Sequence, residues 1–495
     1  MFFRFFLSFF FLAQFLFAQN PFDPIIERGM KKLNEFNFKA ADSLFNQAMD
    51  LRPENPAPYH FIAQTYLWFS LGDKDFNELK VFFRFSDIAL DKGEKFLEEN
   101  ENDANALFLL GLIEMNRAIA GSSKDEMLDA FWASKSAVGY FEDAIEIDSS
   151  YADAYLGLGL LEYFLSYVPS VFKWSISLVG LTADKELGLR HLRKAYKDGR
   201  IMKDEAAFHL SKILIDYTAD FNGAAEILEN LTVKYPKNPL FHYRRAIALV
   251  RAAKLDEAEK ELDAVIALNA KHFSHTTSLA YFLKGTVYFY RNEFSQAVEY
   301  FDSFFKKTPS IDFTGIANFR AAICEAMLGN EHEAKRYLIL ASNGNEDIPE
   351  DDFAKRKSKL YFNRWLTDEH KSIVLASNYL HQGNFDKIIE LLSPKVNDFS
   401  NQDFKLEGYN YLAQAYLNFG EIKKAAAILR KAESIIPENE PWTLVYKNIV
   451  IAQYYAITND FQKMETYLDK AEDLNDGDYN NNFEAWIVKL RRTEK

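Results

Sequence analysis

The sequence has few of the residues and motifs that form disulfide bonds, metal sites or catalytic sites. Cys324 is the only cysteine, which excludes an internal disulfide framework and a multi-cysteine metal site. Glycine-rich phosphate loops, nucleophile elbows and HExxH zinc motifs are missing from the sequence as well. We therefore expect a protein that is not an enzyme and that uses no metal, cofactor or small-molecule substrate.

Clustered positive charge is also scarce. The chain has 58 Lys and Arg against 72 Asp and Glu, so its formal net charge is −14. Binding to nucleic acid depends on clustered cations that are not outnumbered, and we do not expect nucleic acid as a partner. One basic run, Lys355, Arg356, Lys357 and Lys359, is too short to outweigh the acidic whole but long enough to meet an anionic partner.

What the sequence does contain is a repeated pair of short amphipathic segments. The clearest copy runs from Glu407 to Pro437 and has a first helix that ends at Gly420. The small residues Ala413 and Ala425 stand where the two helix backbones must approach each other. This pattern resembles the tetratricopeptide repeat, which implies an all-α fold, an α-solenoid of antiparallel helix pairs.

Equivalent positions recur along the chain and predict its organisation. The residue that each second helix turns toward the first recurs every 34 to 54 residues, at Ala224, Ala258, Ala297, Ala334, Ile388, Ala425 and Met464. We predict a degenerate repeat array over residues 21–235 and a regular array over 236–342. An inserted helix or hinge follows over 343–367, and a C-terminal array with a capping helix occupies 368–495.

The N-terminal residues predict the compartment. Residues 1–18 carry one early positive charge at Arg4, a Phe/Leu run and the small residue Ala18, which together are typical of a signal peptide. The apolar run is shorter than the ~20 residues that a spanning helix needs. We expect export, to the periplasm or the outer-membrane surface in a bacterium and otherwise by secretion.

An apolar insertion interrupts the N-terminal array at residues 163–181. Lys173 is the only charged residue between Tyr163 and Leu181. Two interpretations stay open: a hydrophobic segment folded across its neighbours, or a membrane-surface or partner contact through Phe172 and Trp174.

The sequence around this insertion carries a second resemblance. The segments GLGLLEYFLSYVP (157–169), FKWSISLVGLTADKELGLRHLRKA (172–195) and AAFHLSKILIDY (206–217) resemble the eukaryotic inclusion-body-clearance tetratricopeptide family, over roughly residues 80–260. The resemblance implies the same helical fold and an association with proteins or lipid surfaces.

The first helices of such arrays line a concave groove, which is where these proteins hold extended or helical peptides. By repeat register we place six residues on that face: Tyr243, Arg251, Asn410, Gln414, Tyr446 and Gln453. Asn and Gln can pair with a peptide backbone, and Tyr offers stacking area and a hydroxyl group. The alternative, that these side chains are solvated or lie between helices, stays open.

The sequence therefore predicts an exported, non-catalytic scaffold that binds a protein or peptide in its groove. A membrane-surface or lipid-associated adaptor that uses residues 163–181 is the first alternative. An enzyme whose site is not recognisable from the sequence is the second.

Overall fold

The computed structural model describes residues 20–167, 180–362 and 366–492. Within these ranges the chain forms α-helices and short 3-10 turns, and no strand. The all-α class is therefore confirmed. The chain divides into two compact units, the first built from residues up to 210 with 233–238, and the second from 211–232 with 239–495.

Unit 1 is a series of helix pairs. Its helices are α1 (Pro24–Asn34), α2 (Phe38–Leu51), α3 (Ala57–Asp73), α4 (Leu79–Glu99), α5 (Ala104–Ser123), α6 (Met127–Ile147), α7 (Tyr155–Leu165) and α8 (Lys185–Asp198). Two further helices, α9 (Lys203–Asp216) and α10 (Phe221–Lys234), contribute residues to both units.

Close backbone approach explains why small residues recur in unit 1. A Cβ atom added to Gly159 on α7 would lie 2.8 Å from the carbonyl oxygen of Gly188 on α8. One added to Gly29 on α1 would lie 2.3 Å from the ring of Phe45 on α2. In these two pairs the second helix thus packs against a position of the first helix where only hydrogen fits.

Unit 2 continues the pairing from residue 239 onward. Its helices are α11 (Pro239–Arg251), α12 (Leu255–Leu268), α13 (Ser274–Tyr290), α14 (Phe294–Lys307), α15 (Thr314–Met327), α16 (Glu331–Leu340), α17 (Pro349–Tyr361), α18 (Asp368–His381), α19 (Phe385–Leu392), α20 (Gln402–Asn418), α21 (Ile422–Ala432), α22 (Trp442–Ile457), α23 (Phe461–Asp473) and α24 (Asn480–Arg491).

The pair α20–α21 shows how local sequence produces the unit. The Asn401 side chain accepts a hydrogen bond from the Phe404 amide at 2.9 Å and begins α20. Gly420, with φ of +71°, allows the chain to reverse after this helix. Ala413 and Ala425 are fully buried where the two helices meet, so the helix pair predicted from the sequence is present.

Helix α17 is an additional element between two pairs. Pro349 stands at its start, where the missing amide hydrogen is tolerated. The buried Asp351 carboxylate accepts hydrogen bonds from the Ile316 amide at 2.8 Å and the Asn345 amide at 3.0 Å. Asp351 therefore fastens α17 to the first turn of α15, which also gains a negative charge near its N-terminus.

Helix α24 brings the end of unit 2 back to its beginning. The Arg251 guanidinium on α11 donates to the Asn482 side chain at 2.7 Å. The Lys489 ammonium lies 5.8 Å from the ring centre of Phe221. The last helix of unit 2 therefore contacts the first helices of the same unit.

No helix in the described ranges combines the length and the hydropathy that crossing a bilayer would require.

Candidate functional site

A cavity of about 160 Å³ lies on the interior face of unit 2. Its wall comes mainly from the first helices of successive pairs, α13, α15, α18 and α20, with α17 and the start of α22 completing it. Aromatic rings dominate the wall; they are Phe289, Tyr290, Phe319, Phe353, Tyr361, Phe404, Trp442 and Tyr479. We call this space the aromatic cavity.

An ion-pair cluster closes one side of the aromatic cavity. Lys357 on α17 pairs with Glu440, whose side chain is 0% exposed. The Lys357 ammonium and the Tyr361 hydroxyl both donate to Oε1 of Glu440, the hydroxyl at 3.1 Å. The Trp442 indole donates to Oε2 at 2.7 Å. Burial opposes ionisation of Glu440, but the charges of Lys357 and Arg356 outweigh it and hold its pKa below the ordinary value.

Two residues of the basic run, Arg356 and Lys357, pair with carboxylates of the same unit. Arg356 pairs with Asp478 as well as with Glu440. These contacts join α17 to the segments that precede α22 and α24. A buried pair of this kind orients its helices, although its net contribution to stability is smaller than its Coulomb energy.

Glu407 is a second buried carboxyl group in the cavity wall. The Tyr411 hydroxyl donates to it at 2.7 Å, one turn further along α20. Burial raises the pKa of Glu407 to about 7, and Lys357 offsets this only in part. The group is therefore poised between its neutral and charged forms near neutral pH.

The cavity wall also carries a stacked pair of rings. Tyr290 and His381 lie parallel, with ring centres 4.0 Å apart and an interplanar angle of 13°. The His381 Nδ1 atom lies 2.8 Å from the Ser377 carbonyl oxygen, which assigns the proton to Nδ1 in the neutral ring. The pKa of His381 is lowered to about 4, chiefly by burial and in part by the charges of Arg320 and Arg251, while the Ser377 carbonyl acts against this.

Arg320 lies against this stack. Its guanidinium carbon is 5.8 Å from the Tyr290 ring centre and 5.6 Å from that of Phe282. One Nη atom donates to the Thr286 hydroxyl at 2.8 Å. Across the described part of unit 2, neither Arg320 nor Arg251 has a carboxylate within the 4.0 Å that defines an ion pair.

None of the six residues predicted for the groove lines the aromatic cavity. They lie on α11 (Tyr243, Arg251), α20 (Asn410, Gln414) and α22 (Tyr446, Gln453). Gln414 and Tyr446 are brought together, since the tyrosine hydroxyl donates to the amide oxygen at 3.1 Å. Asn410 is fully buried, and its amide donates to the Thr443 carbonyl at 2.9 Å. Tyr243 and Gln453 are partly buried on α11 and α22.

Burial also sets the chemistry of Tyr243, because it raises the pKa of the phenol to about 12. Its hydroxyl group is therefore neutral at physiological pH and can act as a donor as well as an acceptor.

Several residues of the cavity were missed from the sequence. Tyr290 and His381 stand seven residues before Ala297 and Ile388, the residues that the following helices turn toward the first helix of each pair. Arg251 has the same register, since it stands seven residues before Ala258. Register alone would have identified them. Arg320 and Glu407 stand at other positions of their repeats, and their significance depends on which charges surround them.

Phe172 and Trp174, predicted to contact a membrane or partner, lie outside the described residues. Cys324 is buried in α15, and burial raises the pKa of its thiol well above the ordinary value.

Comparisons with known proteins agree with this architecture. The model of the Iml2/Tetratricopeptide repeat protein 39 family matches residues 149–368, and a tetratricopeptide-repeat model matches residues 406–439. The chain is thus a tetratricopeptide-repeat protein, a helical-repeat scaffold of a class that serves protein interactions. It resembles the Iml2 family over residues 149–368, a range that begins and ends later than the sequence motifs suggested. No curated protein sequence matches the chain.

Solved structures with a similar fold have low sequence identity. A tetratricopeptide repeat protein from Parabacteroides merdae is 16% identical, with 60% of this chain and 98% of that chain covered and a TM-score of 0.29. The APC/C hetero-tetramer Cut9-Hcn1 is 13% identical, with 94% and 95% covered and a TM-score of 0.28. NprR in complex with its cognate peptide NprX is 12% identical, with 59% and 84% covered and a TM-score of 0.25. These likenesses concern the fold alone.

Proposed function

We propose that this protein is an exported, non-catalytic scaffold that binds a peptide segment of a partner protein on the interior face of unit 2. The observation that carries the proposal is the aromatic cavity on the first-helix face, where arrays of this class bind peptides. Tetratricopeptide repeats generally bind proteins or peptides, which supports the same interpretation.

The size of the cavity favours a particular mode of binding. At about 160 Å³ it is smaller than the ~300 Å³ or more that pockets for drug-sized ligands occupy. It suits one apolar or aromatic side chain of a longer segment, anchored among rings that offer stacking area at low conformational cost. The remainder of the segment would contact polar groups of the first helices.

Export is part of this proposal. Residues 1–18 have the charge, the apolar run and the small residue of a signal peptide. Detection of a mature N-terminus at Gln19 in the exported fraction of the native host would support it, and an unprocessed intracellular protein would refute it.

The groove proposal is tested by filling the cavity. A displayed library of random 12-residue peptides is selected on the purified protein, and each selected peptide is titrated against the variants Ser377→Leu and Ser295→Leu. Ser377 lines the cavity, whereas Ser295 is exposed on α14 and provides the matched control.

We expect Ser377→Leu to weaken binding at least tenfold, because the added side chain occupies the space of the anchor. Ser295→Leu should leave the affinity unchanged, and circular dichroism verifies that both variants are folded. Equal binding by the two folded variants would place the peptides elsewhere and refute the proposal.

A further inference from the structure

Three second helices of unit 1, α4, α6 and α8, follow one another on one side of the unit. They pack against the first helices between them, α5 and α7, so their exposed sides point away from those first helices. Burial raises the pKa of Tyr140 on α6, and the Glu94 carboxylate on α4 adds to this rise, which places α4 next to α6. The His191 ring on α8 pairs with Glu162 on α7 at 2.7 Å. We call the exposed sides of α4, α6 and α8 the outer face.

Helix α4 makes one edge of the outer face acidic. Residues 87–101 contain six Asp or Glu against two Lys. Four of the acidic side chains are exposed and recur at helical spacing; they are Asp87, Asp91, Glu94 and Glu98. The first two have basic partners, Arg117 and Lys95, whereas the other two form no ion pair within the described part of unit 1. This edge therefore has surplus negative charge.

Helix α8 makes the other edge basic. Residues 185–203, which form α8 and lead into α9, contain seven Lys or Arg against two acidic residues, in a chain whose net charge is −14. Arg190, Arg193 and Lys197 are exposed and lie on one side of the helix, since they are three and four residues apart. None of the three forms an ion pair within the described residues. Such a row favours a partner surface of opposite charge.

Helix α6, between these edges, exposes apolar side chains and a glycine. Leu128 is 69% exposed and Trp132 is 51% exposed. Gly139 follows on the same side, about two turns after Trp132, and a Cβ atom added to it would meet no atom of the described chain within 4 Å. A glycine inside a helix costs stability relative to alanine, and no contact within the described chain requires one here. It leaves room for another backbone to approach α6 from outside.

We propose that the outer face of unit 1 is the interface of a homodimer whose two-fold axis passes close to Gly139. The two α6 helices cross antiparallel at this glycine, and α4 of each copy lies against α8 of the other. The partner on the outer face is therefore a second copy of this chain. An interface of this kind uses the same surface on both copies, so that surface has to be complementary to itself.

The order of charges on the outer face meets this requirement. A half-turn about an axis at α6 exchanges the two edges, so each acidic α4 edge meets a basic α8 edge, and this happens twice. Along α6, residues equally distant from Gly139 meet across the axis. Lys135, four residues before it and 5.4 Å from the Trp132 ring centre, faces the partner subunit's Asp143, four residues after it. The exposed apolar side chains near the start of α6 are covered by the second copy.

The dimer goes beyond the proposed function and does not depend on it. Each copy would contribute one aromatic cavity, so a dimer could hold two peptide segments at once. A partner that carries two such segments would then bind more tightly than either segment alone.

Sedimentation equilibrium of the purified protein tests the dimer. Three double variants reverse exposed charges on α8, on α4 and, as a control, on α19 and α21 of unit 2; they are Arg190→Glu with Arg193→Glu, Glu94→Arg with Glu98→Arg, and Lys387→Glu with Lys424→Glu. A fourth variant, Gly139→Arg, places a long charged side chain at the axis.

We expect the wild type to form a dimer at micromolar concentrations, and rising salt should weaken it because exposed charges are screened. The α8 and α4 variants should each weaken the dimer at least tenfold, because like charges then face each other in both contacts. The control variant should dimerise like the wild type. An equimolar mixture of the α8 and α4 variants should recover most of the wild-type affinity, since opposite charges face each other again in both contacts.

Gly139→Arg should abolish the dimer without lowering the unfolding midpoint of the monomer, because the added side chain meets no atom of the described chain. Circular dichroism measures this midpoint and shows whether each variant is folded. If a charge variant does not fold, Gly139→Arg still decides whether α6 lies at the interface.

Three results would overturn the proposal: a wild type that stays monomeric at every concentration, a dimer that neither charge reversal weakens, or two weakened variants that do not recover when mixed. Assembly beyond a dimer would also overturn it, because a two-fold interface closes on itself. The proposed function fails separately, since Ser377→Leu alters the cavity of unit 2 and should leave the dimer intact.

Discussion

Replacement of Glu407 by Gln should make the protein more stable, although it removes a charged group that accepts a hydrogen bond. Glu407 is buried, and the Tyr411 hydroxyl donates to it at 2.7 Å. A glutamine has the same shape and keeps an oxygen that accepts this bond. The substitution therefore removes the cost of ionising a buried carboxyl group and little else.

The size of the gain in stability follows from the shift in the pKa of Glu407. The pKa of Glu407 is raised from 4.5 to about 7 in total. Burial is the largest cause and the charges of Glu440 and Asp403 add to it, while Lys357 and the Tyr411 hydrogen bond act against it. Since a tenfold change in proton affinity corresponds to about 1.4 kcal/mol, the full effect on the free energy of unfolding is about 3 kcal/mol.

The pKa of Glu407 is higher in the folded state than in the unfolded state, and this decides whether stability rises or falls with pH. Between pH 4.5 and 7 the folded protein binds more protons than the unfolded one, so stability falls as the pH rises through this range. The contribution is fully present below pH 4.5 and lost above pH 7. Glutamine does not titrate, so the variant does not lose this stability as the pH rises.

Urea unfolding at pH 5 and pH 8 measures the difference. The variant should gain stability over the wild type by about 2 to 3 kcal/mol on going from pH 5 to pH 8. Glu257→Gln is the matched control, because Glu257 is exposed on α12, and it should show no such change. A variant whose advantage is the same at both pH values would refute the reasoning, since Glu407 would then be charged throughout.

Three further predictions concern other parts of the chain. Lys357→Met should destabilise the protein by about 3 kcal/mol in urea unfolding, because it leaves Glu440 buried without its closest counter-charge. Cys324 should react with a thiol reagent only after unfolding, because its thiol is buried and its raised pKa suppresses the thiolate. If residues 163–181 contact a membrane, the protein should co-sediment with lipid vesicles, and the double variant Phe172→Asp, Trp174→Asp should not.

Each of these has an outcome that contradicts it. Lys424→Met removes an exposed ion pair with Glu421 and should cost below about 1 kcal/mol, so an equal cost for both lysines would argue against the buried cluster. Fast labelling of native Cys324 would show that its helix opens readily. Equal sedimentation of wild type and double variant, or none by either, would exclude those two residues as a membrane contact.

Much of the fold could be predicted because it depends on local periodicity. The 3.6-residue spacing of apolar side chains, the turn at Gly420 and the small residues Ala413 and Ala425 are all read within a single repeat. The additional helix was predicted within residues 343–367 and is present as α17. What stays a prediction is its role as a hinge.

The surroundings of the candidate site residues could not be predicted in the same way. Repeat register places Arg251, Asn410 and Tyr446 on first helices, but it does not state what surrounds them. Asn410 is fully buried against Thr443, and Arg251 meets Asn482 at the far end of unit 2. Contacts between residues far apart in sequence depend on how each pair is rotated on the next, and no local pattern encodes that rotation.

The sequence by itself determined the helix pairs, because each pair is built from neighbouring residues whose spacing specifies which side is buried. Only the tertiary structure decided the electrostatics of the interior. It paired Lys357 with Glu440 and removed Glu407 from water. The physical reason is that a side chain's charge state depends on its distance from other charges and from solvent, and both are consequences of packing between repeats rather than of the order of residues within one.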